Sequence, residues 1–152
     1  MYAIQVVEIE ATTPKLRAAA VLFDCYRIFY GKLANLSLAK NYLRERLEAG
    51  ESTVLLARLQ DQWVGLCRLY RGFSSISCAR TAIHLYVDDG HRSAGVGGAL
   101  INYASAYARR VRAARVVLET AETNARVQAL YDSLGFERSR GFWGYSLCLC
   151  PV

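Results

Sequence analysis

Apolar and polar positions along the chain repeat at two periods, and the changes of period mark the elements. Residues 3–9, AIQVVEI, read as a first strand, and Pro14 after Thr12-Thr13 opens a helix running to about Tyr30 and stopping at Gly31. A second helical stretch over 35–49 carries Leu36, Leu38, Ala39, Tyr42, Leu43 and Leu47 and ends at Gly50. Residues 52–59 and 63–73 are two strands joined by the polar turn Gln60-Asp61-Gln62. From Thr81 to Asp88 the chain alternates Thr81, Ile83, Leu85 and Val87 against Ala82, His84, Tyr86 and Asp88, as a strand does. Asp88-Asp89-Gly90-His91 ends it. Glycines 95, 97 and 98 then lead into a helix whose apolar stripe is Leu100, Ile101, Ala104, Tyr107, Ala108 and Val111. A strand-like VVLET at 116–120 precedes another helical segment. Residues 137–150 contain one or two further strands, broken by Gly141 and Gly144, in which Ser146, Cys148 and Cys150 alternate with Leu147 and Leu149. The order β-α-α-β-β-β-α-β-α-β-β predicts an α/β protein with a mixed sheet.

At 152 residues the chain is expected to form one domain, 1–152, long enough to bury most of its apolar surface. The 53% hydrophobic content suits a compact core, yet no apolar run approaches the ~18 residues of a membrane span. The opening MYAIQVVEIE carries no basic segment followed by an apolar stretch, so a cytoplasmic protein without a membrane partner is expected. Five cysteines, Cys25, Cys67, Cys78, Cys148 and Cys150, lack metal-ligand spacing. Reduced core thiols and no metal site are the expectation. The net charge of +6 suits nucleic acid or a phosphorylated small molecule equally. Arg109, Arg110, Arg112 and Arg115 form a basic cluster, but arginines near a helix C-terminus are already favoured by the helix dipole, so a solvated face rather than a nucleic-acid site is expected.

The chemistry concentrates at the glycine-rich turn. Glycines at a helix start let a ligand approach the backbone, and the unpaired N–H groups of the first turn point outward with positive potential. That arrangement is a phosphate cradle. No Lys-Ser/Thr pair follows, which excludes a Walker loop, and the acidic ribose contact of a dinucleotide site is not evident downstream. What remains is Arg-x-x-Gly-x-Gly, formed by Arg92, Gly95 and Gly97.

With that pattern the chain resembles the GNAT superfamily of N-acetyltransferases. About thirty residues on, NARVQALYDSLGF supplies Asn124, Ala125, Leu130, Tyr131, Leu134, Gly135 and Phe136 where the family has its Asn, Ala, Leu/Ile-Tyr and Gly-Phe. The two motifs span roughly 79–136, and the Gly72-Phe73-Ser74-Ser75 segment is similar to members related to histone, polyamine and D-amino-acid acetyltransferases. The resemblance implies the GNAT fold and acetyl-CoA as cosubstrate. It implies that the backbone of Leu85, Tyr86 and Val87 pairs with the pantetheine arm and that Ser93, Ala94, Gly95, Val96, Gly97 and Gly98 wrap the pyrophosphate, with Arg92 adding charge. Asn124 would bind CoA or close its helix end. Tyr131 would hydrogen-bond the sulfur and protonate the departing thiolate. The first two helices wall the acceptor site in this family, which makes Tyr26 and Tyr30 candidate substrate-binding residues; ordinary core packing is the alternative.

The chain departs from its relatives at the general base. Many of them place acidic residues at the positions aligned with Ile83 and His84, and neither is a carboxylate here. An imidazole can accept a proton at neutral pH, so His84 is a candidate, beside a structural role for it and with Glu119, Tyr86 and an ordered water as other bases.

The reading is thus an N-acetyltransferase acting on a primary amine of a small molecule or peptide by direct attack in a ternary complex, with a non-catalytic acyl-CoA-binding module as the alternative. A homodimer is expected, as is common in the family.

Overall fold

The computed structural model describes residues 2–76, 78–81, 84–87 and 89–150, with the backbone alone at 79–81, 84–87 and 89. Two compact units are present, Met1–Glu119 and Thr120–Val152. The first contains a four-stranded antiparallel sheet in the order β1-β2-β3-β6, from β1 (Ile4–Ile9), β2 (Ser52–Leu59), β3 (Gln62–Tyr70) and β6 (His84–Val87). A short second pair joins β4 (Gly72–Ser74) to β5 (Ala79–Thr81). The helices of this unit are α1 (Lys15–Phe29), α2 (Leu36–Glu48) and α3 (Val96–Arg110).

Alternation along the strands divides the core between the two faces of the sheet. Val54, Leu56 and Leu66 point to one face, where Leu16, Ala19, Ala20 and Leu22 of α1 and Leu43 of α2 cover them. Leu55, Ala57, Val64, Cys67 and Leu69 point to the other, against Val96, Leu100 and Ala104 of α3. Of the stripe expected on α3, Leu100, Ile101, Ala104 and Ala108 are buried, Tyr107 is half-buried, and Val111 falls just past the helix end as its C-cap.

Local chemistry sets the helix ends. α1 begins after Pro14 and its exit passes through Gly31 at φ +83°. Asn35 caps α2 by accepting the backbone N–H of Leu38 at 3.0 Å. The connection between these helices is pinned by buried Asp24, whose two carboxylate oxygens accept the N–H of Asn35 at 3.1 and 3.0 Å while Arg27 donates to it at 2.7 Å. α3 is tied to β1 by Glu8, which accepts from Tyr103 at 3.3 Å and Arg110 at 2.8 Å.

The strand expected over 81–88 differs in detail. His84–Val87 pairs with β3, whereas Thr81 closes β5 and pairs with Gly72; Ala82, Ile83 and Asp88 lie outside the described residues. Two expected elements are corrected. Residues 116–120 and 137–150 carry no strand. Alternation makes a segment compatible with a sheet, but only a partner's N–H and C=O groups make it a strand. Phe142, Trp143, Tyr145, Leu147 and Leu149 are each more than four-fifths exposed, and Cys78, Cys148 and Cys150 are exposed too, so the core-thiol expectation holds only for buried Cys67 and, in part, Cys25.

The second unit is built on α4 (Ala125–Ser133). Asn124 caps it, accepting the N–H of Val127 at 3.4 Å. Its other end closes through Gly135 at φ +83°, with the N–H of Phe136 donating to the carbonyl of Tyr131 at 3.0 Å. The Leu134-Gly135-Phe136 run is therefore a helix stop, and it returns Phe136 to within 5.8 Å of the Tyr131 ring, centroid to centroid.

Candidate active site

β6 is the last strand of its sheet among the described residues. One edge pairs with β3 in the register Val87↔Gly65, Tyr86↔Leu66, Leu85↔Cys67 and His84↔Arg68. The opposite edge of Leu85, Tyr86 and Val87 presents backbone groups of the kind an extended amide-bearing ligand pairs with.

Beyond β6 the chain makes a single 3₁₀ turn, Asp89–His91, passes Ser93 at φ +76° and enters α3 through Gly95 at φ +83°. Gly95 is where glycine is needed, because the left-handed backbone at the N-cap of α3 is strained for a residue with a Cβ. No side chain caps this helix and no acidic residue stands in its first turn, so nothing on the helix itself offsets the positive end of its dipole. Val96 and Gly97 are buried, whereas a Cβ on Gly98 would meet no atom within 4 Å. The helix start therefore has one side anchored in the core and one side with room for a ligand. Arg92 lies beside this turn, its guanidinium 5.1 Å from the centre of the Phe29 ring at the end of α1.

A second feature brings the helix so close. Gly65 of β3 lies under α3: a Cβ there would stand 2.7 Å from Cγ1 of Val96 and 2.9 Å from Cδ1 of Leu100. Only a glycine lets the first turn of α3 settle onto the strand next to β6. Nothing in the sequence pattern singled this residue out.

On the α1/α2 face an aromatic group converges. The Tyr26 and Tyr30 rings meet edge to face at 5.0 Å, Phe29 and Tyr30 at 5.1 Å, and Phe23 stacks on Tyr42 at 5.7 Å. Tyr30 is 47% exposed, which removes it from the core proper, and Tyr26 is half-buried. Burial raises the Tyr26 hydroxyl above the ordinary phenol range, Tyr30 adds to the rise and Arg68 works against it. Arg68 was missed by motif reasoning. It lies with its guanidinium carbon 5.2 Å from the Tyr42 ring, 5.3 Å from Tyr70 and 5.7 Å from Phe23.

Of the candidate residues, the structure thus brings together the β6 backbone, Arg92 and the 93–98 turn in one unit, with Tyr26 and Tyr30 on α1 in the same unit. Asn124 and Tyr131 belong to the second, where Tyr131 is 7% exposed and Asn124 serves as a helix cap. His84 is placed by its backbone opposite Arg68, and Ile83 lies outside the described residues. Among the described residues no group of three His, Cys, Asp or Glu side chains converges as a metal would need, and no helix is long and apolar enough to cross a membrane.

An edge strand leads here through a glycine turn into an uncapped helix, and comparison with known proteins identifies the family in which this arrangement occurs. Residues 19–136 match the acetyltransferase (GNAT) family, and the chain belongs to it. It is 36% identical over 140 residues to YhfO, an uncharacterized N-acetyltransferase of Bacillus subtilis (strain 168), covering 91% of this chain and 94% of that protein. A crystal structure of a probable acetyltransferase superposes with a TM-score of 0.87 at 32% identity, over 97% of this chain and 99% of the other. The ribosomal-protein-alanine N-acetyltransferase of Brucella melitensis biovar Abortus 2308, at 18% identity and TM-score 0.75 over 96% of this chain and 100% of its own, shares the fold.

Proposed function

We propose that this acetyltransferase moves the acetyl group of acetyl-CoA onto a primary amine of a small molecule or peptide by direct attack within a ternary complex. The observation that carries the donor assignment is the start of α3: a helix N-terminus with no side-chain cap and no acidic first turn, opening beside Gly98 and reached from β6 through the Asp89–His91 turn and Gly95. The amides of this turn would hold the pyrophosphate, Arg92 would add a charge beside it, and the outer edge of Leu85, Tyr86 and Val87 would pair with the pantetheine amides. Held there, the thioester presents its carbonyl to a backbone N–H of β6.

In the reaction a C–N bond forms as the C–S bond breaks. The amine proton passes to a base, for which His84, Glu119 and a water are the candidates, and the CoA thiolate takes a proton from the Tyr131 hydroxyl. Tyr26 and Tyr30 line the acceptor side, and holding both reactants at once supplies proximity rather than a covalent enzyme intermediate.

The test is direct. Acetyl-CoA should raise the melting temperature, since a ligand selective for the folded chain stabilises it by mass action. An amine panel should then release free CoA in proportion to acetylated product. No melting shift at millimolar acetyl-CoA sinks the donor assignment.

A further inference from the structure

Arg68 is a partly buried cation, two of whose guanidinium nitrogens donate to nothing among the described residues. Its Nε and Nη1 are out of contact with solvent and, among the described residues, have no hydrogen-bond partner, and no carboxylate of those residues pairs with the guanidinium. Three rings, Phe23 of α1, Tyr42 of α2 and Tyr70 of β3, surround it at 5.2–5.7 Å. Ring faces attract a cation but do not satisfy a planar fork of donors, and a desolvated charge without an anion is among the costlier things a fold can hold. Such a group is retained where an anion arrives from outside. Tyr42 and Tyr70 are themselves 39% and 37% exposed, so the ring cluster is open on the side they occupy.

Its position says which anion. Arg68 stands opposite His84 in the β3/β6 ladder, one strand in from the edge that leads to the glycine turn. A molecule bound there would reach the thioester with a group a few bonds from its anionic end. An unneutralised guanidinium at this place attracts an acceptor that carries a carboxylate and opposes a polyamine, whose charges are all positive.

We propose that Arg68 binds the carboxylate of the acceptor, and that the acceptor is a small amino-carboxylic acid held through a guanidinium–carboxylate fork. This rests on the acetyl-transfer reading above and narrows it to a substrate class. A carboxylate fork closes on Nη2 together with either Nε or Nη1, so each such fork uses one of the nitrogens left unmatched among the described residues, and its two hydrogen bonds fix the direction in which the amine points.

The test measures CoA release with the twenty common L-amino acids, their C-terminal amides and spermidine. At least one amino acid should be turned over, with its amide lower in kcat/KM by about a hundredfold, as expected when one side of a desolvated charge pair is removed. Arg68→Met should raise KM for that amino acid by about the same factor while leaving its amide unaffected. Arg68→Lys, which keeps the charge and loses the fork, should fall between. The wild-type comparison of acid with amide needs no variant to fold, and retention of the acetyl-CoA melting shift certifies the variants. Amides or spermidine accepted as well as the acids, or an unchanged KM in Arg68→Met, overturns the proposal. An acetyl-CoA melting shift with no turnover of any amino acid overturns it too and leaves the donor assignment standing, whereas loss of the shift itself removes both.

Discussion

Gly65 and Val96 touch across the sheet–helix interface at a distance that admits no side chain on the glycine: a Cβ would lie 2.7 Å from Cγ1 of Val96. The contact links the strand that pairs with β6 to the first turn of α3, and so fixes the height of the proposed phosphate cradle above the sheet. Leu100 and Ala57 close the remaining directions at 2.9 and 3.3 Å, which leaves no route of escape by rotation of one flexible group.

Gly65→Ala should therefore destabilise the fold by about 1–3 kcal/mol, the usual cost of overpacking a tight core. Urea denaturation measures it through a lower midpoint at unchanged slope. Because the helix start would be lifted, acetyl-CoA affinity should fall as well. A variant as stable as the parent would show that Val96 can move aside freely.

Gly98 offers the opposite case, with no atom near its added Cβ. Gly98→Asp should fold normally, and the new carboxylate should even favour the positive helix end by about 0.3–1 kcal/mol. It would also place a negative charge where the phosphates are proposed to lie. The expected result is an unaltered or higher melting temperature without ligand and no further rise with acetyl-CoA. A normal rise would move the donor site elsewhere.

Tyr131 is buried against Phe136, so Tyr131→Phe keeps the packing and removes the hydroxyl. Turnover should drop by about a hundredfold, the lower end of what a positioned proton donor contributes, with the acetyl-CoA melting shift preserved. Equal kcat for the two proteins would take the phenol out of the mechanism.

These contrasts show what the sequence made legible. Helix limits were readable where their causes are local: Pro14, the Asn124 cap, and Gly31, Gly50 and Gly95 each act within one turn of chain. The antiparallel hairpin of β2 and β3 was readable from two apolar runs and a short polar turn. What could not be read depends on partners far away in sequence. Gly65 matters only because of Val96, Asp24 because of the Asn35 backbone, and Arg68 because residues from α1, α2 and β3 meet around it. The late alternating segments failed for the same reason, since alternation describes a strand's faces and says nothing of its neighbours.

Cys67 is the group whose burial yields a pH dependence that can be worked out in sign. Its thiol lies in the α3-side core, and desolvation pushes its pKa from 9.0 up to about 12. In the unfolded chain the same thiol ionises near its ordinary value. Below about pH 9 both states keep the proton and the group contributes its full share of stability. Between 9 and about 12 the unfolded chain loses a proton that the folded chain retains, so unfolding is favoured progressively, by about 1.4 kcal/mol per pH unit from this group alone. Alkylation reads the same difference chemically, because the thiolate is the nucleophile. At pH 8 iodoacetamide should label the exposed Cys78, Cys148 and Cys150 of the native protein and spare Cys67, and labelling of Cys67 should appear only with denaturant. Mass mapping of the labelled peptides decides it: native-state labelling of Cys67 at the rate of Cys78 would mean that the contact between β3 and α3 opens readily, and with it the support beneath the glycine turn.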